Sequence, residues 1–385
     1  MTAARLQGRS ILYLVTEDWY FWSHRLNLAR AAQAAGARVI VAASMSDYAT
    51  RIADEGFLPV HIPFDRSGFN PFKDVSTLLK ILKTYRKFSP DLVHHVAAKP
   101  VFYGTIAARL ARTPAILNAM AGMGFLYMDK SPRTWLARHA FQIGLRSGLR
   151  QRTTLVTVQN ADDFAALRGF GIPEQQIVTI PGSGVDLEAY PVREAPPAPP
   201  VVAVFAARML WSKGIKELVE AARILAARGV PIRVRLLGST DANPSRVPSD
   251  TMLAWREEGV LEVVGHSNDV AGEFARAHIA VLPSYREGLP KALLEAASCG
   301  RPIVATDVPG CREICRDGET GILVPACDPL RLADALEELA GDAEMRMRMG
   351  TRAREVVEAE YASQRIADLT LGAYQRLLDE ANRHG

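Results

Sequence analysis

The chain contains no apolar run near the roughly 18 residues that a membrane-spanning helix needs, so an integral helical membrane protein is not expected. It also lacks a charge of one sign. Lys and Arg number 46 against 42 Asp and Glu, a net of +4 with the two signs interspersed, too weak a bias to argue nucleic-acid binding. Cysteine is scarce: Cys299, Cys311, Cys315 and Cys327 all fall in the second half. Cys311 and Cys315 are four apart and no histidine cluster joins them, which is not a zinc-knuckle spacing; we read reduced, structural thiols in a cytosolic protein. The first ten residues lead into a strand without the apolar core of a secretion signal. No Gly-x-Gly-x-x-Gly follows the first strand, against a dinucleotide enzyme. No Gly-x-Ser-x-Gly elbow is present either.

What is there is 48% hydrophobic and 23% charged, the balance of a globular chain of about two domains. Strand-like runs alternate with helical patterns from end to end, the signature of α/β layers with parallel sheets. Strands are expected at 11–15, 37–41, 91–95, 115–117, 154–158 and 177–180, with helices near 23–35, 75–88 and 101–112. Residues 191–200, Pro-Val-Arg-Glu-Ala-Pro-Pro-Ala-Pro-Pro, cannot join a sheet interior and read as a linker. The pattern then restarts, with strands at 201–205, 232–237, 261–264, 278–282, 302–305 and 321–324, and a last helix near 361–381. The expected domains are 1–190, 201–360 and a C-terminal helix over 361–385, two doubly wound Rossmann-like domains facing a cleft. In such sheets ligands bind beyond the carboxyl ends of the strands.

Ser284 to Ala296 is the most informative stretch. Glu287 lies on a loop after the apolar strand Ile279–Leu282, Pro290 opens a helix, Glu295 sits on it, and Gly300 closes it. A helix N-terminus after a glycine offers free N–H groups and the positive end of a dipole, a seat for phosphate. Two glutamates flanking that seat suit hydroxyl partners. The combination suggests a ligand anionic in the middle and rich in hydroxyls on both sides, a description that a nucleoside diphosphate sugar fits.

Glu-Gly-Leu-Pro followed by Leu-Glu-Ala, with glutamates eight apart, resembles the paired-glutamate motif of the family 4 retaining glycosyltransferases of GT-B fold. The resemblance implies that Glu295 holds the donor ribose, Glu287 lies by the transferred sugar, and Gly288, Leu289, Pro290 and Lys291 serve the phosphates. Arg208 and Lys213, on the loop after strand 201–205, match the Arg and Lys that grip the donor diphosphate in that family; two cations there stabilise charge building on a leaving diphosphate. The Asp-x-Asp metal clamp of the other major transferase fold is absent, so no metal and no cofactor is expected, with a UDP-sugar as donor substrate. Within the family, residues 207–214, 238–245 and 281–288 are most similar to bacterial N-acetylgalactosaminyltransferases that extend undecaprenyl-diphosphate-linked sugars in glycan and O-antigen assembly.

The first domain is left for the acceptor. Glu17 to Arg25 reads as an aromatic-rich loop ending on a cap at Ser23, with His24 and Arg25 placed to meet an acceptor phosphate. His94, His95 and Lys99 close another strand; core packing is the reading for His95. Many family members place a histidine near the transferred sugar on the loop that here begins Asn118-Ala119-Met120-Ala121-Gly122. Asn118 or a neighbour stands in its place, so no catalytic histidine is assigned. Residues 133–152 mix Trp135, Leu136 and Phe141 with five arginines, either a lipid-facing amphipathic helix or a core helix with a solvated side. Lys80, Lys83, Arg86 and Lys87 add a second basic helix, and together they suggest peripheral contact with the inner, anionic face of the cytoplasmic membrane.

The expected activity is transfer of a sugar, N-acetylgalactosamine or another hexose or HexNAc, from a UDP-sugar to a lipid-linked saccharide in surface polysaccharide assembly. A GDP-sugar-dependent transferase, a UDP-sugar epimerase and a non-catalytic scaffold of similar architecture remain open at this point.

Overall fold

Five successive residues of the first strand, Ile11 to Val15, are fully buried, because a strand in a parallel sheet is covered on both faces and so needs a continuous apolar run. The computed structural model describes residues 6–64, 71–120, 152–240, 243 and 245–384. These fall into two units, one running to Ser183 and resuming at Ser363, the other spanning Gly184–Ala362.

The first unit runs β1 (Ser10–Glu17), α1 (Asp18–Ala34), β2 (Arg38–Ser44), α2 (Tyr48–Asp54), β3 (Leu58–His61), α3 (Pro71–Phe88), β4 (Leu92–Val96), α4 (Ala98–Ala111), β5 (Ala115–Ala119), β6 (Thr154–Val158), α5 (Ala161–Gly169) and β7 (Ile177–Thr179). The second continues with β8 (Val201–Ala206), α6 (Ile215–Ala227), β9 (Ile232–Leu237), α7 (Ser249–Glu258), β10 (Glu262–Gly265), α8 (Val270–Ala275), β11 (Ile279–Leu282), α9 (Lys291–Ser298), β12 (Ile303–Thr306), α10 (Cys311–Ile314), β13 (Gly321–Val324), α11 (Pro329–Gly341) and α12 (Ala343–Glu360). The last helix, α13 (Ser363–His384), belongs to the first unit.

Both sheets are parallel throughout the described residues, in the orders β3-β2-β1-β4-β5-β6-β7 and β10-β9-β8-β11-β12-β13. The order reverses between β1 and β4 in one and between β8 and β11 in the other. Chain leaving two such neighbouring strands in opposite directions opens a crevice at their carboxyl ends. The α/β alternation read from the sequence is therefore the architecture, two doubly wound Rossmann-like units.

Some local expectations need correction. The segment after β1 is helix, not an aromatic loop capped at Ser23: α1 starts at Asp18, so Trp19 to Trp22 lie on it. Asp18 explains the early start. It is 1% exposed, and its carboxylate accepts from Trp19 N at 2.8 Å, from Ser46 Oγ at 2.8 Å and from Ser46 N, so one side chain anchors the helix start to the chain after β2. The proline-rich stretch over 191–200 lies outside both sheets and is held by two hydrogen bonds. Arg301 donates to Arg193 O at 2.7 Å and His278 meets Pro196 O at 2.9 Å, which pins it to the second unit.

The last helix is part of the first unit's core. Ile366, Tyr374 and Leu377 pack in one buried cluster with Tyr13, Phe21 and Ala29 of β1 and α1. Tyr374 Oη lies 3.1 Å from Tyr13 Oη.

Candidate active site

At the reversal point of the second sheet, the chain leaving β8 presses against the chain leaving β11. Gly214 makes this contact possible. Its φ is +72°, and a Cβ there would sit 1.9 Å from Pro283 O, so no other residue fits without moving backbone. Tyr285 N donates to Ser212 O at 3.0 Å across the same seam. The contact carries Lys213 Nζ to 2.5 Å from Glu287 Oε1, and Ser284 Oγ donates to that same oxygen at 2.6 Å. The Glu287 backbone is fixed in turn: its N–H donates to Pro309 O at 3.2 Å. Gly310, at φ +82°, approaches so closely that a Cβ would lie 2.6 Å from Gly288 O. Arg208, on the same β8 loop, is exposed.

Beyond this cluster comes α9. Its first residue is Lys291, and Pro290 is the N-cap at φ −73°, ψ 112°, one position earlier than the sequence suggests. Pro290 cannot continue the helix backward. No side chain caps this end, which leaves first-turn N–H groups without an intrahelical partner. One turn on, Glu295 is buried. Its Oε1 accepts from Tyr190 Oη at 2.8 Å and lies 3.1 Å from Lys291 Nζ. Burial, and then the nearby Glu295 carboxylate, push the Tyr190 phenol well above its ordinary range, so it acts as a donor to Glu295 at any working pH. Tyr190 was not anticipated; it stands 105 residues before its partner, outside any motif. A second unforeseen pair joins Tyr285 Oη to both Glu217 oxygens at 2.9 Å.

In the first unit, His24 and Arg25 of α1 and His94 of β4 line one pocket, together with Thr157, Gln159 and Thr370. Arg25 is 6% exposed, its Nη1 donates to His24 O at 3.0 Å, and its Nε has no hydrogen-bond partner among the described residues. His94 is 2% exposed; Nδ1 lies 2.5 Å from Tyr374 Oη and Nε2 is likewise unpartnered. Burial foremost, then the Arg25 charge, hold the His94 imidazole well below its usual pKa, so it is neutral.

The other acceptor-side candidates go elsewhere. Asn118 is fully buried, and its Oδ1 meets His95 Nδ1 at 2.7 Å and accepts from Thr105 at 3.1 Å. His95 Nε2 lies 2.9 Å from Tyr85 Oη, completing a core network, as the core reading of His95 expects. Lys99 pairs with Asp74 at 3.7 Å. Gly122, the basic segment over 133–151 and positions 241, 242 and 244 lie outside the described residues. Among the described residues no three His, Cys, Asp or Glu side chains converge as metal ligands would, and no helix is long and apolar enough to cross a membrane.

Comparison with known families decides the class. Residues 200–342 match the family described as Glycosyl transferases group 1, and residues 10–160 match Glycosyl transferase 4-like. The chain belongs to these glycosyltransferases. Its similarity to the Campylobacter jejuni N,N'-diacetylbacillosaminyl-diphospho-undecaprenol alpha-1,3-N-acetylgalactosaminyltransferase is 25% identity over 352 residues, covering 88% of this chain and 91% of that one. Solved structures share the GT-B fold. Sucrose-phosphate synthase from Thermosynechococcus elongatus superposes with a TM-score of 0.78 at 22% identity, over 96% of this chain and 99% of that one. Anabaena HepE in complex with UDP gives 0.73 at 16% identity, over 93% and 97%. In this glycosyltransferase Arg208, Lys213, Glu287 and Glu295 all lie within the group 1 segment, whereas His24, His94, Lys99 and Asn118 lie within the 4-like segment.

Proposed function

We propose that this glycosyltransferase moves a sugar, N-acetylgalactosamine or a related HexNAc or hexose, from a UDP-sugar to a lipid-linked saccharide in bacterial surface polysaccharide assembly. The observation that carries it is the convergence of Lys213 and Glu287 beside the uncapped end of α9, at the reversal point of the second sheet. A cation, hydroxyl-binding carboxylates and free N–H groups on adjoining loops are what a diphosphate flanked by two sugars requires. The acceptor class is supported by the similarity to the C. jejuni enzyme, whose name describes a diphospho-undecaprenol acceptor.

The donor binds the second unit, with Glu295 on the ribose, Arg208, Lys213 and the start of α9 on the diphosphate, and Glu287 on the sugar. The acceptor binds the first unit. Transfer retains anomeric configuration: the bond from C1 to the phosphate oxygen breaks as the bond from C1 to the acceptor oxygen forms on the same face. The departing phosphate takes the acceptor hydroxyl proton, so no protein base is needed. Arg208 and Lys213 stabilise the negative charge left on the diphosphate. Neither a metal nor a cofactor takes part.

Contact with the membrane is peripheral, on its inner face. The α3 helix supports this, because Lys80, Lys83, Arg86 and Lys87 are exposed on it alongside Val75 and Leu79, basic and apolar groups that suit an anionic lipid surface.

The test is thermal stabilisation by UDP, GDP, ADP and their sugars without metal, followed by transfer assays with the donor that binds. UDP-sugar binding together with acceptor-dependent product supports the reading. Binding of GDP-sugars alone makes it a GDP-dependent transferase, and conversion of UDP-sugar without acceptor makes it an epimerase.

A further inference from the structure

The pocket of the first unit carries a feature that the donor chemistry does not use. A guanidinium is always charged, and burying it without a counter-charge is strongly unfavourable. Arg25 is in that position: it is almost wholly buried, its Nη1 donates to a neutral carbonyl, and no ion pair engages it among the described residues. The pocket lining contains no Asp or Glu. Its polar members besides Arg25 are two histidines, Thr157, Gln159 and hydroxyls such as Thr370, all able to donate.

His94 adds a second unsatisfied group to the same wall. Its Nδ1 is taken by Tyr374, which leaves Nε2 as the edge without a partner. Two polar side chains, each more than nine-tenths buried and each with an unused nitrogen, line one pocket. Such groups ordinarily find partners in a folded protein. A cationic ligand would be repelled by Arg25, and a neutral one would leave its charge uncompensated. A tetrahedral oxyanion supplies both the charge and several acceptor oxygens.

We propose that this pocket is a phosphate subsite, in which Arg25 and His94 bind the phosphate group of the substrate that receives the sugar. The choice of substrate rests on the function proposed above; the anion preference rests on the pocket alone. Arg25 supplies charge and N–H donors, and His94 supplies Nε2 as its neutral imidazole, oriented by Tyr374. The apolar wall made by Leu28, Ile180 and Ile366 excludes water around the anion and strengthens the contacts.

The experiment uses the full chain, labelled with ¹⁵N and held saturated with UDP so that the donor site does not take up the probe. Inorganic phosphate and, separately, geranyl phosphate are titrated while the Arg25 Nε–Hε and His94 imidazole signals are followed, assigned through Arg25→Lys and His94→Gln. Both signals should shift together and saturate at one affinity, and Arg25→Lys should weaken that affinity about tenfold, as loss of a bidentate grip does, with UDP affinity unchanged. Equal binding of the two probes assigns recognition to the phosphate alone. Clearly tighter binding of geranyl phosphate assigns it to a lipid-linked source; either supports the subsite. No saturable shift at Arg25 and His94 with either probe overturns it, even if UDP-sugar transfer stands. A shift with both probes in a protein that transfers no sugar would keep the subsite and remove the function.

Discussion

Lys213 and Glu287 meet at 2.5 Å, one from the loop after β8 and the other from the loop after β11, so the two strands at the reversal point of the second sheet share one ion pair. Both side chains are mostly buried, at 19% and 11% exposure. The pair ties the two loops together, and Arg208 on the β8 loop is exposed.

Two substitutions test the proposed roles. Arg208→Ala should lower turnover by about two orders of magnitude, the scale of losing a charge stabiliser. Lys213→Ala should lower turnover and also cost about 1–3 kcal/mol of stability, because it leaves the Glu287 carboxylate with Ser284 but without its cation. Transfer rates and thermal unfolding of the two variants decide it. Full turnover in folded Arg208→Ala would remove that residue from the site.

Glu295 and Tyr190 should act on donor binding. Glu295→Ala should weaken UDP-sugar affinity about tenfold or more with turnover largely kept, since the proposed contact to ribose lies away from the reacting carbon. Tyr190→Phe removes one hydrogen bond to that carboxylate and should produce a smaller loss, on the order of 1 kcal/mol. Calorimetric titration with UDP measures both. Lost turnover with intact UDP affinity in Glu295→Ala would contradict the ribose assignment.

Gly214→Ala should be damaging out of proportion to one methyl group. The left-handed backbone alone costs about 1–2 kcal/mol for an alanine, and the new Cβ would also displace Pro283. We expect a lower melting temperature together with reduced transfer, since the same shift separates Lys213 from Glu287. Alanine at Gly259 is the control, because that glycine has similar φ with no atom within 4 Å of the added Cβ.

Acid should destabilise the first unit through His95. Its folded pKa is held down to about 4 from an ordinary 6.5 by burial, partly opposed by the bond to Asn118. The unfolded chain binds the proton first as pH falls. The stabilising contribution is thus complete above about pH 6.5 and is lost progressively towards pH 4, by a few kcal/mol at most. His94, depressed in the same direction, adds to the slope. Melting curves between pH 7 and 5 should steepen their decline in the wild type and flatten in His95→Gln. An equal slope in both would exclude His95 as a source.

Chelation should leave transfer unchanged. In the proposed mechanism Arg208, Lys213 and the start of α9 supply the positive charge that a metal would otherwise bring to the diphosphate. Rates measured with and without excess EDTA test this, and loss of activity restored by a divalent ion would overturn it.

The chain declares its architecture because strands in parallel sheets must be apolar throughout and helices must be amphipathic, so β8, β9 and β13 fall almost where the pattern places them. The placement of Arg208, Lys213, Glu287 and Glu295 was legible for a related reason. They sit in short loops and one helix at the carboxyl ends of two strands, so local spacing already encodes their neighbourhood. Arg25 was legible as a candidate but not as a buried one: on its own helix it looks solvated, and the elements that cover it arrive from β4 and from α13. The His94 contact to Tyr374 spans 280 positions and leaves no local trace. The start of α1 was misplaced because Ser46, which completes the contacts of Asp18, lies 28 residues further on.

Tyr374 and Tyr13 are 361 positions apart and yet share one buried cluster. The first unit is therefore completed by a helix that follows the whole of the second unit in sequence. The segment that covers β1 on one side is separated from it by the entire second unit, which is itself one uninterrupted stretch of chain. A cut anywhere in the second unit would therefore also part the first unit from the helix that completes its core.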